Sequence, residues 1–385
     1  MTEINADWLT SDGSKAVTGM LTRAGFEVYF VGGCVRNALV EMYVADLDLA
    51  TNARPDVVMK LAQDAGLKVI PTGADHGTVT VIADHRPYEI TTYRTDVETD
   101  GRHAVIAFSD TLQDDAVRRD FTMNALYCAP DGSVIDPVGG IPDLRANHVR
   151  FINDPDARIR EDYLRILRFF RFYAWFGDSE QGLDADGLAA CAANLDGLDT
   201  LAKERVQTEI IKTLLARDPA PAMASMAISG VLLRLLPGAD ASTLARLVHL
   251  EKKLGRPVHW HTRLAAINPG DVATLLRLSK ADTIEFTRIR EGALSEQTPS
   301  AMGYEVGGEL AIEALMLREV LTGQPVTQDA MDAVHFANLQ VFPVKADHLM
   351  PTYEGKALGA RLAYLKSEWI KSTFAMTKAD LLALP

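Results

Sequence analysis

From Val28 to about Asp136, apolar residues rich in β-branched and aromatic types come in short runs broken by Gly, Asp and Pro. These runs are Val28 to Val31, Val69-Ile70, Val79 to Ile82, Tyr88 to Tyr93 and Ala125 to Cys128. Runs of this length and punctuation predict strands. Pro55 to Ala65 has helical spacing, with Thr51-Asn52 ahead of it to cap the first turn. The pattern predicts a small α/β domain on a mixed sheet, with a loop at Thr72 to Gly77 and a charged, mobile surface loop from Asp96 to Arg102.

Beyond about Asp143 the strand pattern fades. Apolar positions recur at helical spacing over Glu161 to Trp175, Ala202 to Leu215, Ala241 to Leu254, Val272 to Glu291 and Gly308 to Leu321. Breakers at Gly177, Pro219 to Pro221, Pro237-Gly238, Pro299 and Pro343 divide this helical region, and no fixed-period repeat runs through it. The expected fold class is therefore α+β, with a mixed-sheet domain first and an all-α remainder.

Composition narrows the classes. The chain has 385 residues, 48% hydrophobic and 24% charged, the proportions of an ordinary globular protein of two or three domains. Asp and Glu (52) outnumber Lys and Arg (39), giving a net charge of −13, so a nucleic-acid partner would need a local basic patch. No apolar run reaches the roughly 18–20 residues of a membrane span, and Thr2 to Asp7 lacks the basic flank and apolar core of a signal peptide. We read the protein as cytoplasmic, with no membrane partner. Cys34, Cys128 and Cys191 are dispersed and odd in number, which predicts reduced thiols rather than disulfides or a zinc clip. His259-Trp260-His261 offers two imidazoles without a third ligand in sequence and is read as surface or core, and His76 as a loop hydrogen-bonder.

The chemistry concentrates early in the chain. In a strand, the period of two puts Asp46 and Asp48 on one face, where they can share divalent ions and support phosphoryl or nucleotidyl transfer. By itself the pair also fits a solvated strand end. Gly32-Gly33 directly follows the strand Val28 to Val31; paired glycines let the backbone approach a phosphate, and Arg36 adds a charge-assisted bond. A plain tight turn would look the same. Glu89, in the run Tyr88 to Tyr93, is either a third carboxylate or an ordinary strand residue. Later, Glu161, Arg165 and Arg168 fall near one helix face at i, i+4 and i+7, with Asp162 three positions before Arg165. Such spacing also suits an exposed helix laced with ion pairs.

Five motifs stand in one order: Gly32-Gly33; Asp46 with Asp48; Arg118-Arg119-Asp120-Phe121-Thr122-Met123-Asn124-Ala125-Leu126; Asp136-Pro137-Val138-Gly139-Gly140; and Glu161-Asp162-Tyr163-Leu164-Arg165-Ile166-Leu167-Arg168. In that order the chain resembles the class II tRNA nucleotidyltransferases and bacterial poly(A) polymerases over roughly residues 28 to 172. Lys203 to Val206 with Glu209 and Lys212 is similar to the family's next helical element, and Gly355 to Gly359 through Trp369-Ile370 is also similar. Between about 220 and 340 the resemblance is thin.

The resemblance implies a polymerase-β-type nucleotidyltransferase head over 1–142, a helical neck over 143–215 and a helical body and tail over 216–385 that bind the acceptor and T arms of tRNA. It implies that Asp46 and Asp48 bind Mg²⁺ and act in catalysis with Glu89. It implies that Gly32, Gly33, Arg36 and Arg119 hold the triphosphate and sugar of CTP or ATP, and that Asp120 and Asn124 brace that site. Asp162 and Arg165 would select the base, with Arg168 and Arg171 as further nucleotide contacts and Glu161 as a brace. There is a physical reason for that selection. Cytosine and adenine both present an amino donor beside a ring-nitrogen acceptor, which a carboxylate and a guanidinium can satisfy together; uracil and guanine present a carbonyl instead. Asp100-Gly101-Arg102-His103 resembles the flexible loop that accompanies the switch from C to A addition. No His-Asp dipeptide occurs, against an appended phosphohydrolase domain. The expected activity is Mg²⁺-dependent addition of the 3′-terminal CCA to tRNA, with no protein partner. The alternatives are poly(A) polymerase, although no strongly basic C-terminal tail is present, and a catalytically silent tRNA-binding protein.

Overall fold

The computed structural model describes residues 2–74, 77–100, 103–267 and 270–385, with the backbone alone described at Thr72, 96–100 and 103–106. Cα packing divides the chain into two units, residues 1–213 with 228–235, and residues 214–227 with 236–385. The first unit takes in both the segment expected as head and most of that expected as neck. Among the described residues no helix is long and apolar enough to cross a membrane.

The first unit is built on strands β1 (Val28–Val31), β2 (Leu47–Thr51), β3 (Lys68–Gly73), β4 (Thr78–Ala83), β5 (Arg86–Thr92), β6 (Arg94–Asp100), β7 (His103–Phe108), β8 (Tyr127–Cys128) and β9 (Val134–Ile135). Seven of them form one sheet in the order β3-β4-β5-β2-β1-β8-β9. Only β2 and β5 pair in parallel within it, so the sheet is mixed, as expected. Alternation sets which side chains leave the core. Leu47, Leu49, Tyr88 and Ile90 are buried, whereas Asp48 and Glu89 face the other way. The helices Asp12–Arg23 and Pro55–Asp64 pack against this sheet.

Four local expectations are corrected. The segment from Asp96 to Arg102, expected as a loop, is strand through Asp100 and pairs with β7 in a separate two-stranded sheet. Thr95, Val97 and Thr99 supply β-branched residues at every second position, a strand signal that the charges obscured. The loop expected at Thr72 to Gly77 is strand to Gly73, with Asp75 and His76 outside the described residues. The stretch Glu161 to Trp175 is not one helix: Pro155–Glu161 ends at Asp162, whose backbone is extended, and a new helix runs Leu164–Phe176. Val272 to Glu291 likewise splits, because Arg277 is left-handed (φ 51°) and Ser279 caps the helix Lys280–Leu294. Periodicity is indifferent to a break of two or three residues when the apolar stripe resumes beyond it.

Aromatic packing ties the helix Leu164–Phe176 to the isolated bridge between Phe121 and Phe151. Phe121 and Phe169 each lie against Phe151, with ring centroids 4.7 and 5.3 Å apart. Each of these rings buries roughly 150–250 Å², enough to dominate the local core. The second unit is helical, with Leu244–Leu254, Trp260–Ala266, Lys280–Leu294, Gly308–Thr322, Gln328–Asn338 and Gly355–Lys371 as its main elements. Its last part closes on a cluster of Val344, Leu349, Leu365, Trp369 and Leu381.

Candidate functional site

β1 ends in a turn that only glycine adopts without strain. Gly32 has φ +73° and ψ −118°, and its N–H donates to the Leu126 carbonyl at 3.1 Å. A β-carbon there would lie 3.5 Å from Arg119 Nη1 and 3.6 Å from the Asn124 carbonyl; one on Gly33 would lie 3.9 Å from Arg36 Nη2. Two guanidiniums thus stand over the paired glycines. Gly140 serves this arrangement from behind: a β-carbon would fall 2.1 Å from the Thr122 carbonyl, so the segment carrying Arg119 to Asn124 can pack closely only on a bare backbone. Asp136 accepts from the N–H groups of Gly140 (2.7 Å) and Ile141 (2.9 Å), which fixes that approach.

Beside the turn, three acids come together. The parallel register sets Asp48 opposite Glu89, so the two project from neighbouring positions on one face. Asp46 lies just outside β2, exposed, and the Arg86 guanidinium holds the chain leading to it by donating to the carbonyls of Val44 (3.3 Å) and Ala45 (2.8 Å). Burial, the charges of Glu89 and Asp46 together raise the Asp48 carboxyl to about 6, against the opposing pull of Arg119. A set of carboxylates that raises the proton affinity of Asp48 in this way is short of positive charge, and oxygen donors of this kind suit a hard divalent cation. The acids present therefore fit a divalent metal.

The guanidiniums form the complementary half. Arg36 is buried; its Nη1 donates to Asn124 Oδ1, its Nη2 to Asn37 Oδ1 at 2.9 Å, and its Nε is buried with no hydrogen-bond partner among the described residues. Burial and the neighbouring Arg171 lower its pKa to about 10, Arg168 adding to the effect and Asp120 opposing it. Asn124 Nδ2 donates to Asp120 Oδ1 at 2.9 Å, and Arg168 donates to Asp120 Oδ2 through Nε at 2.6 Å. Burial alone would raise the Asp120 carboxyl, yet Arg168, Asn124 and the Phe121 N–H hold it well below the usual carboxylate range. A continuous chain Arg36–Asn124–Asp120–Arg168 therefore runs from the glycine turn to the helix Leu164–Phe176. Arg171 pairs with Glu209 at 2.6 Å. Arg36, Arg168 and Arg171 all lie over the ring of Phe172, at 5.0, 5.3 and 4.4 Å from its centroid.

Arg119 is anchored by Asp115, through Nε at 3.2 Å and Nη2 at 2.9 Å, and by the Tyr127 hydroxyl at 3.2 Å. Asp115, fully buried, also binds Arg118 and accepts from Tyr127 at 2.7 Å. At the helix break, Asp162 Oδ1 accepts from the Leu164 N–H at 3.0 Å and Oδ2 from Arg205 at 2.7 Å. Arg165 donates to Glu161 and to the Arg158 carbonyl (2.7 Å), and its Nη2 reaches the Arg118 carbonyl at 3.3 Å. Glu161 also pairs with Arg158.

All fourteen of the residues Gly32, Gly33, Arg36, Asp46, Asp48, Glu89, Arg119, Asp120, Asn124, Glu161, Asp162, Arg165, Arg168 and Arg171 thus fall in the first unit. Of the expected loop residues, Asp100 ends β6 in register with His103, and Arg102 lies outside the described residues. Asp115, Tyr127, Phe172, Arg86 and the Arg205–Asp162 contact were given no role from sequence. Asp115 and Phe172 carry a legible signal, each lying four positions from an arginine of the site, Arg119 and Arg168. The contacts of Arg86 and Arg205 carry none, because they span 41 and 43 residues.

Residues 28–150 match the family described as "Poly A polymerase head domain", and residues 183–243 match that described as "Probable RNA and SrmB- binding site of polymerase A". The CCA-adding enzyme of Geobacillus kaustophilus is 32% identical over 324 residues, covering 79% of this chain and 77% of the relative. Human CCA tRNA nucleotidyltransferase 1, mitochondrial, is 40% identical over 207 residues, covering 54% of this chain and 48% of the relative. The chain thus spans about half the length of that relative and of its mouse and zebrafish counterparts. Among solved structures, the Bacillus stearothermophilus CCA-adding enzyme in complex with CTP superposes with a TM-score of 0.76 at 26% identity, covering 94% of this chain and 92% of that one.

Proposed function

The chain belongs to the family of CCA-adding enzymes, and we propose that it is a tRNA nucleotidyltransferase that builds or repairs the 3′-terminal CCA from CTP and ATP. The observation that carries this reading is the placement of Asp48, Glu89 and Asp46 beside a glycine turn faced by Arg36 and Arg119. A cluster short of positive charge next to a cluster short of negative charge suits a metal-bound triphosphate.

Asp46 and Asp48 hold the divalent ions, taken to be Mg²⁺, with Glu89 adding negative charge beside them. When bound, the ions make the tRNA 3′-hydroxyl a better nucleophile and stabilise the charge of the departing pyrophosphate. Gly32 and Gly33 leave room for phosphate oxygens, to which Arg36 and Arg119 donate. Asp115 and Tyr127 fix the direction of Arg119, and Asp120 with Asn124 fixes Arg36 and Arg168. Asp162 and Arg165 read the base. The carboxylate accepts from the amino group of C or A and the guanidinium donates to the ring nitrogen, whereas U or G leaves these groups unpaired. Glu161 braces Arg165, and Arg168 and Arg171 contact the nucleotide. The segment Asp100 to His103 is assigned to the change from C to A addition. The helical second unit binds the acceptor and T arms by shape and backbone. The three cysteines are buried and unpaired, in keeping with a reducing compartment, and we place the enzyme in the cytoplasm.

The test is incubation of the purified protein with Mg²⁺ and tRNA lacking its 3′-CCA, with each nucleotide alone and with CTP plus ATP, followed by sequencing of the 3′ ends. Addition of C, C and A with a stop is the expected result. Addition of CC alone would assign a different activity to the 100–103 segment, and long A tails would make the protein a poly(A) polymerase. Tight tRNA binding without incorporation would make it a silent binder.

A further inference from the structure

Away from the residues above, the second unit gathers a compact set of metal-binding side chains where two helices meet. His259 stands just ahead of the helix Trp260–Ala266, His261 lies in its first turn, and Glu285 lies in the helix Lys280–Leu294 that packs against it. Among the described residues, His259, His261 and Glu285 are the group whose ligand atoms all lie within 4.8 Å of one another. His259 Nε2 is 2.9 Å from Glu285 Oε1, and His261 Nδ1 is 3.3 Å from the same oxygen. The third ligand that His259-Trp260-His261 lacked in sequence is thus supplied 24 positions beyond His261, by a different helix.

Outer contacts hold each ring in place. The Thr262 hydroxyl donates to Glu313 Oε2 at 2.7 Å and lies 3.1 Å from His259 Nδ1. His261 Nε2 lies 3.1 Å from Asp282 Oδ1. The opposite ring nitrogens, His259 Nε2 and His261 Nδ1, then both face Glu285 Oε1. Three ligand atoms converging in this way form a cluster that one cation can bridge.

We propose that His259, His261 and Glu285 form a second metal site, for a divalent transition metal of the zinc type, that clasps the helices Trp260–Ala266 and Lys280–Leu294. The donor set of two imidazoles and one carboxylate is that of three-ligand zinc sites with an open fourth position. Thr262 and Asp282 supply the outer contacts that direct each ligand ring. His259 and Glu285 are partly exposed, at 27% and 36%, and give the ion a route from solvent. Mixed nitrogen and oxygen ligands separate this site from the all-carboxylate set of Asp46, Asp48 and Glu89, which suits magnesium.

The experiment is zinc titration of the chelator-stripped full-length protein in excess Mg²⁺, read by competition with a chromophoric chelator, for the wild type, H259Q, E285Q and the double variant D46N/D48N. One zinc per chain is expected in the wild type and in D46N/D48N, with affinity lowered at least about 10- to 100-fold in H259Q and E285Q. Co²⁺ replacing zinc in the wild type should give the visible absorption of a low-coordinate nitrogen and oxygen site, a readout that needs no variant to fold. Absence of that absorption, equal zinc affinity in wild type and E285Q, or loss of binding in D46N/D48N alone would overturn the proposal. The last outcome would move the zinc to the carboxylate cluster.

Discussion

Both units bury arginines, and Arg36 of the first is built on a different principle from Arg263 and Arg318 of the second. In the second unit Arg263 is 1% exposed, and every nitrogen has a partner: Nε and Nη2 bind Glu251, and Nη1 binds the carbonyls of Leu214 and Ala216. Arg318 likewise ends on the carbonyls of Gly292, Ala293, Ser295 and Gln297. In the first unit Arg36 keeps a buried Nε without a hydrogen-bond partner among the described residues and faces two further cations, Arg168 and Arg171, which pair with Asp120 and Glu209. A buried guanidinium whose donors are all matched ties helices together. A buried guanidinium among like charges, next to acids that raise the Asp48 carboxyl, is poised for charge that a ligand brings.

This contrast can be broken by substitution. The largest effect is expected for Asp46→Ala combined with Asp48→Ala: nucleotide incorporation falls roughly 10³- to 10⁴-fold, about 4–5.5 kcal/mol, while tRNA affinity in filter binding stays near the wild type. Retained incorporation would remove the acids from catalysis. Arg263→Ala should act on the other side of the comparison. Leaving Glu251 buried and unpaired costs about 3 kcal/mol or more of stability by urea unfolding, with kcat per folded molecule unchanged at low temperature.

Asp115 sharpens the comparison through pH. Burial pushes its carboxyl up, but Arg119, Arg118 and Tyr127 outweigh burial and hold it at about 2. Because the folded pKa lies below the unfolded value of about 3.9, the stabilisation is complete above that value and is lost as pH falls from about 4 toward 2. It amounts to roughly 2 kcal/mol, so urea midpoints of the wild type and Asp115→Asn should differ most at neutral pH and converge near pH 2. A constant difference across that range would mean that Asp115 is not held ionised by its arginines. Asp162→Asn removes the charge but keeps an amide oxygen for the Leu164 N–H, and selectivity for CTP over UTP should fall about 10-fold. The smallest effect is expected for Arg36→Lys: losing the planar fork should raise KM for CTP by about 5- to 10-fold with little change in kcat, and a pure kcat effect would place Arg36 elsewhere in the cycle.

Much of this was legible along the chain because it is local or periodic. The glycine pair after a strand, the alternation that sends Asp48 out of the core, the i, i+4 relation of Asp115 to Arg119 and the motif order from Gly32 to Arg168 depend only on neighbours in sequence. The helix at Glu161 to Trp175 misled because the apolar stripe resumes beyond the break at Asp162, and only the backbone reveals that this residue caps one helix and takes Arg205 from another. What tertiary structure alone decided is which distant charges meet: Glu89 opposite Asp48, Arg36 on Asn124, Arg171 on Glu209, Arg263 on Glu251, and Glu285 between His259 and His261. The reason is physical. Secondary structure is set by dihedral preference and hydrophobic period over a few residues, whereas the sign and completeness of a buried charge's partners are set by the packing of whole elements, which no short window of sequence contains.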